Sequence, residues 1–243
     1  NLSHSTRNAL WAMKVTFMAG DSFRSGAAIV AEKLRIGKPL ALCYTERNRE
    51  GGGEMLKKAY IEITNRCNLR CAFCPGTKRK SRTMSPAEFD LVLEKLQGAV
   101  TYVYLHIMGE PLAHPQLAQL LSLAAARGMR VCITTNGTLL ARQAETLLAA
   151  PALHKVSVSL HSFEGNGGAA EHERRYLDEV WAFADRAAAR GVIVALRLWN
   201  EGGAEERNGA IEAFLREKCP GEWREPRSGS LRLRENLYLE HAK

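Results

Sequence analysis

From Met55 onward the chain alternates short apolar runs with longer amphipathic ones, and this alternation leaves few folds open to it. Ala59–Thr64, Tyr102–Ile107, Arg130–Thr135, Lys155–His161 and Val192–Trp199 read as strands, and Leu237–Glu240 as the start of a sixth. Helical stretches fill the gaps between them. Ser85-Pro86-Ala87-Glu88 is a helix start, with Ser as N-cap, Pro at the first helical position and Glu at the capping-box position. Phe89, Val92, Leu93 and Leu96 then line one face. A helix after His114-Pro115 ends at Arg127-Gly128, a third spans Leu139–Ala149, and Glu171–Arg190 closes on Gly191. Glu205–Lys218 is the last. Strand–helix repeats with right-handed crossovers build a parallel α/β sheet. No glycine-rich dinucleotide fingerprint follows the first strand. Six strands with chemistry-bearing residues at their C-terminal ends fit a partial (β/α)6, TIM-like barrel, whose site is built by the loops at that face.

Cysteines occupy the turn after the first strand: Cys67, Cys71 and Cys74, spaced C-x3-C-x2-C. Three thiolates on one tight loop can converge on an inorganic centre, and soft thiolates select zinc, Cu(I) or iron–sulfur clusters. A structural zinc needs a fourth ligand at fixed spacing. His106 and His114 lack it, and Cys132 stands alone in another apolar run. Three ligands suit a [4Fe–4S] cubane whose fourth iron stays open to a ligand that is not protein. A zinc knuckle, or three unrelated core cysteines, is the bland alternative.

With Phe73 directly before its last cysteine, the loop resembles that of the radical S-adenosylmethionine (SAM) superfamily. The resemblance implies that Cys67, Cys71 and Cys74 hold a [4Fe–4S] cluster and that SAM chelates its open iron. It also implies reductive cleavage of SAM to methionine and a 5′-deoxyadenosyl radical, which takes hydrogen from substrate. Met108-Gly109-Glu110-Pro111, at the end of the second strand, is similar to the family's Gly-Glu motif for the ammonium of SAM, with Met108 where a first Gly often stands. Glu110 suits an ammonium, because that pair makes a charge-assisted hydrogen bond. Thr134-Thr135-Asn136-Gly137-Thr138 is similar to a family turn, and Asn136 shares parity with Thr134. Ser157, Ser159 and His161 fall on one face of the fourth strand, opposite Val156, Val158 and Leu160. The resemblance makes Ser159 and His161 SAM contacts. Arg197, in an apolar strand, needs a partner or a cleft: either a carboxylate of SAM or substrate, or a structural pair with Glu62 or Glu110. Asn200 is a weaker candidate.

Two further stretches, Ser159–Asn166 and Leu196–Asn200, resemble uncharacterised bacterial radical SAM proteins akin to the peptide- and protein-modifying branch. Members usually continue into a cysteine-bearing C-terminal region. Here only Cys219 lies beyond the fifth strand, so a fragment, or a member lacking that region, is expected. A non-enzymatic zinc or iron–sulfur regulatory module is one rival reading. A small-molecule tailoring enzyme, such as a 7-carboxy-7-deazaguanine synthase-like protein, is another.

A net charge of +8 and a pI near 9.3 invite a nucleic-acid reading. The charge is spread and interleaved with acids, however. The compact basic run Lys78–Arg82 fits a docking edge for an acidic electron donor, a flavodoxin or ferredoxin. Six cysteines, three of them clustered, fit a reducing cytosol better than a disulfide framework. No run of about 18 apolar residues is present, so no membrane span is expected. Residues 1–54 show no sustained period and end in Glu50-Gly51-Gly52-Gly53-Glu54 before Met55. They are expected to be an irregular extension, read through upstream of a native start at Met55. The competing expectation is a genuine extension with a helix over Ala27–Leu34 and a Gly linker. The core domain is then 55–243.

Overall fold

Period-two alternation gives each strand one apolar face, and those faces must be covered. In the computed structural model, which describes residues 43–48, 55–166, 170–198, 207–227 and 229–241, helices cover them from one side. The central strands are β2 (Met55–Ile61), β3 (Tyr102–Leu105), β4 (Arg130–Thr135), β5 (Leu153–Ser159), β6 (Ile193–Leu198) and β9 (Leu237–His241). They run parallel, in that order, as the alternation predicts. Between them come α1 (Pro86–Leu96), α2 (Leu117–Ala126), α3 (Leu140–Leu148), α5 (Ala170–Ala189) and α6 (Asn208–Lys218). The capping box forms as read: Glu88 N donates to Ser85 Oγ at 3.3 Å, and Ser85 N to the Glu88 carboxylate at 2.8 Å.

The helix-covered face carries Ala59, Ile61, Val103, Leu105, Val131, Ile133, Val156, Val158, Val194 and Leu196, all buried in one hydrophobic core. The opposite face is polar and half-buried, with Lys58, Tyr60, Tyr104, His106, Lys155, Ser159, Arg197 and Glu240. This is the concave side of a partial (β/α)6 barrel.

Three features depart from the sequence reading. The stretch expected to be irregular contains β1 (Cys43–Asn48), antiparallel to β2 with a register shift between Glu46 and Arg47. A boundary at 54/55 therefore falls between two paired strands. Six residues, four of them polar, are too few to show a period, but they satisfy the hydrogen-bonding edge that β2 offers. The helix expected over Ala27–Leu34 lies outside the described residues. At the other end, β7 (Arg224–Arg227) and β8 (Ser230–Arg234) form an antiparallel hairpin on β9. Pro226 fits there because β7 is the sheet's edge. Finally, β5 stops at Ser159, and His161 opens the one-turn helix α4 (His161–Glu164).

Candidate functional site

The three cysteines lie on the loop after β2, at the C-terminal rim of the sheet, and the loop's ends are tied together. Thr64 bridges Thr83, Asn65 Nδ2 donates to Lys80 O at 3.0 Å, and Arg82 N donates to Asn65 Oδ1 at 2.7 Å. Arg79 forks onto buried Glu62 at 2.6 and 2.7 Å. Glu62 is therefore not the partner of Arg197. Arg82 likewise pairs with Glu88, so Lys78 and Lys80 are the exposed charges of the basic run not engaged in these pairs.

Gly109 locks the loop from the β3 side. With φ +79°, any Cβ there would collide with Thr64 O and come within 2.7 Å of Arg66 O. Glu110 N donates to Arg66 O at 2.8 Å, and Ile107 just upstream has φ 135°. A non-glycine residue in that region stores strain. The Gly-Glu turn is thus pressed onto the backbone of the cysteine loop.

Every sulfur of the triad accepts an N–H. Cys67 Sγ takes Leu69 N at 3.4 Å and Asn136 Nδ2 at 3.9 Å, Cys71 Sγ takes Asn166 Nδ2 at 3.0 Å, and Cys74 Sγ takes Gly76 N at 3.5 Å. Cys67 and Cys74 are exposed and Cys71 is half-buried. Desolvation by the surrounding loop backbone pushes the Cys67 thiol above its ordinary value although its edge is exposed, and the charges of Glu110 and Cys71 add to this. Among the described residues no three His, Cys, Asp or Glu side chains close to the spacing of a single metal ion. A cubane does not ask that of them, because each thiolate binds a different iron. The donor set fits such a cluster. Cys132 is buried on β4, and Cys219 turns its thiol to Leu233 O at 3.6 Å.

Glu110 is buried, and its carboxylate accepts from Leu112 N at 2.9 Å, Thr135 Oγ1 at 2.7 Å and Asn136 N at 2.8 Å. Burial raises its pKa against these three donors. It ties the β3 turn to the end of β4. Asn136 thereby comes to bridge the elements: Nδ2 reaches Asn68 Oδ1 at 3.0 Å, and its backbone carbonyl accepts from Tyr176 OH at 2.8 Å.

The expected one-face set Ser157, Ser159 and His161 does not form, because His161 has left the strand. Its ring packs on Phe73 at 4.7 Å between centroids. Burial, ahead of the charge of Arg197, pulls its pKa down to about 4. Ser159 stands in register with Arg197. Arg197 pairs with Glu240 on β9 at 3.5 Å, neither of the partners expected, and Lys155 reaches the other Glu240 oxygen at 3.2 Å. Asn200 lies outside the described residues.

Sequence reasoning passed over the concave floor beside the rim. Tyr60 and Tyr104 pack with tilted rings at 4.9 Å between centroids, Tyr60 and His106 at 5.1 Å, and Lys58 Nζ sits 5.7 and 5.6 Å from the two tyrosine ring centres. Burial, then Arg197 and Lys58, pulls the His106 pKa down to about 4, and burial pushes Cys132 up to about 11. The available signal was parity: Lys58 and Tyr60 alternate with Ala59 and Ile61, and Tyr104 and His106 with Val103 and Leu105.

Comparisons with known proteins bear on the fold and the family. The fold is similar to that of Streptococcus suis SuiB bound to S-adenosylmethionine, with a TM-score of 0.52 and 21% identity over 67% of this chain and 39% of that one. Among curated proteins, the GTP 3′,8-cyclase of Chlorobaculum tepidum is 32% identical over 141 residues, covering 56% of this chain and 42% of the relative. The tungsten-containing aldehyde ferredoxin oxidoreductase cofactor-modifying protein of Pyrococcus furiosus is 36% identical over 90 residues, 35% of this chain and 25% of that protein. The chain spans less than half the length of these relatives. The Radical SAM superfamily model matches residues 61–200, more than half of the 243, and begins at the strand that feeds the cysteine loop. The matched stretch holds the cysteine loop, the Gly-Glu turn and the strands that carry them, and the chain belongs to the radical SAM superfamily.

Proposed function

We propose that this chain carries the catalytic core of a radical SAM enzyme, with Cys67, Cys71 and Cys74 as the ligands of a [4Fe–4S] cluster. The observation that carries the reading is the N–H donated to each of those three sulfurs at the sheet's C-terminal rim. When bound, the cluster and SAM supply reductive cleavage of SAM to methionine and a 5′-deoxyadenosyl radical, which abstracts hydrogen from substrate. The chain's own residues orient and shield. Three of the acceptor directions of the Glu110 carboxylate are filled, leaving one for the ammonium of SAM. Asn136, held against Cys67, faces the same space. Ser159 lies beside Arg197, where the ribose or carboxylate of SAM is expected. Phe73, packed on His161, covers the far flank of the loop.

The substrate is proposed to be a peptide or protein side chain. A likeness of fold to SuiB, whose structure is also known bound to the precursor peptide SuiA, supports this. The identity to GTP 3′,8-cyclase supports a second reading, a small anionic molecule. A flavodoxin or ferredoxin in a reducing cytosol would deliver the electron, steered by Lys78 and Lys80.

Anaerobic reconstitution tests the core claim. About four irons per chain, and 5′-deoxyadenosine formed from SAM under dithionite, are expected. Stoichiometric zinc without iron, or an iron-loaded reduced sample that binds no SAM, overturns it.

A further inference from the structure

The turn after β5 belongs neither to the sheet nor to the helical shell. Its six residues, His161 to Asn166, grip the cysteine loop at four points. Gly165 O accepts from Ala72 N at 2.8 Å. The Phe73 ring lies on Gly165 where any Cβ would collide with it, and packs at a tilt against the His161 ring. Asn166 Oδ1 accepts from Arg70 N at 2.8 Å, and Asn166 Nδ2 donates to Ser162 O at 2.7 Å and to Cys71 Sγ at 3.0 Å. The orientation of the amide is settled by its partners. An N–H from Arg70 can be met only by the carbonyl end, so the amino end faces the Ser162 carbonyl and the sulfur.

This N–H to sulfur contact is the shortest of those into the triad, at 3.0 Å against 3.4, 3.5 and 3.9 Å. Cys71 has a second partner, since as a thiol it donates to Ser162 O at 3.8 Å. That contact is available only while the proton remains. Once the sulfur is a thiolate, the Asn166 N–H is the partner that gains strength, because charge-assisted hydrogen bonds are about twice as strong as neutral ones. Adding an electron to a thiolate-ligated cluster increases the negative charge on its sulfurs, and hydrogen bonds to those sulfurs set the potential.

We propose that Asn166 is a positioning residue of the metal centre. Its amino group holds the Cys71 sulfur and makes the cluster easier to reduce, while its carbonyl fixes the Arg70–Ala72 backbone that presents that sulfur. This rests on the reading of Cys67, Cys71 and Cys74 as cluster ligands. It places a residue 95 positions downstream in the sequence beside the iron–sulfur centre.

The experiment is an EPR-monitored reductive titration of the reconstituted full chain, without SAM, for wild type, Asn166→Ala and Asn166→Asp. Asn166→Asp keeps an acceptor for Arg70 N but replaces the N–H toward the sulfur with a carboxylate oxygen, so donor loss and added negative charge act in the same direction. At the potential where wild type is half reduced, the reduced-to-oxidised ratio is expected to fall about tenfold in Asn166→Ala, or about 59 mV for one electron. It should fall further in Asn166→Asp. Gln119→Ala, an uncharged and exposed position on α2 away from the sulfurs, should leave the ratio unchanged. An iron-loaded Asn166→Asp whose ratio stays within about twofold of wild type overturns the role of Asn166, even if Asn166→Ala loses its iron. A wild type that takes up no iron overturns the cluster reading, and this proposal with it.

Discussion

The two faces of the same six parallel strands follow different rules. On the helix side, Leu105, Val131, Val156 and Leu196 are buried in the hydrophobic core, so each can be exchanged only for something of its own size and polarity. On the concave side, one residue away along the same backbone, Tyr104, Cys132, Lys155 and Arg197 meet rings, thiols and charges. A parallel sheet buried on both faces reads as a continuous apolar run; this one alternates. The difference teaches that the helix-covered face supplies the folding free energy, while the concave face and its rim are released to serve chemistry.

That contrast can be broken most completely at the rim. Replacing Cys67, Cys71 or Cys74 with Ala should abolish iron binding while moving the melting temperature of the cluster-free chain little, since two of the three are exposed. Cys132→Ala should retain full iron. Iron measured after anaerobic reconstitution, beside apo-protein melts, checks both. The helix-covered face should give the reverse result. Leu105→Ala should cost about 2–5 kcal/mol in denaturant unfolding without changing the iron bound by the molecules that fold.

Glu110 belongs to both regimes and sharpens the comparison. Glu110→Ala leaves Leu112 N–H, Thr135 O–H and Asn136 N–H without their acceptor, at about 1–3 kcal/mol for each donor left buried. Lower stability and weaker SAM binding should therefore appear together. Glu110→Gln, which keeps an acceptor, should restore much of the stability but not the affinity for an ammonium. Equilibrium unfolding and SAM titration separate the two effects.

The last effect is one of pH. His106 and His161 both have pKa values lowered to about 4 by burial, so between that value and the unfolded 6.5 the unfolded chain binds more protons than the folded one. Stability should be complete above about pH 6.5 and fall as pH drops toward 4, by at most about 1.4 kcal/mol per pH unit for each histidine. His106→Gln should flatten that slope. Unfolding midpoints across pH 4–7 at fixed ionic strength check it, and an unchanged slope would mean that His106 titrates normally.

Much of the molecule is legible in the chain. Six strands, five long helices, the capping box of Ser85 and Glu88 and the cysteine loop all follow from local periodicity and from which side chains can occupy a cap or bind a soft metal. The misses share a cause. Nothing local marks β1 or the β7–β8 hairpin, because these polar strands exist to satisfy a neighbour's backbone edge. The partner of Arg197 is also decided by register: β9 lies beside β6 and sets Glu240 against it, while Glu62 and Glu110 are already engaged by Arg79 and by the end of β4.

The sequence by itself determined the order of elements, the apolar face of each strand and the spacing of the cysteine loop, since these depend on residue type and short-range spacing. Only the tertiary structure decided what meets at the rim. His161 leaves its strand to cover Phe73, Gly109 admits the backbone of Thr64 and Arg66, and Asn166 closes on Cys71 from 95 residues away. Contacts of that length are fixed by how strands and loops stack in space, and a hydrogen bond between residues so far apart leaves no period in the chain for a reader to find.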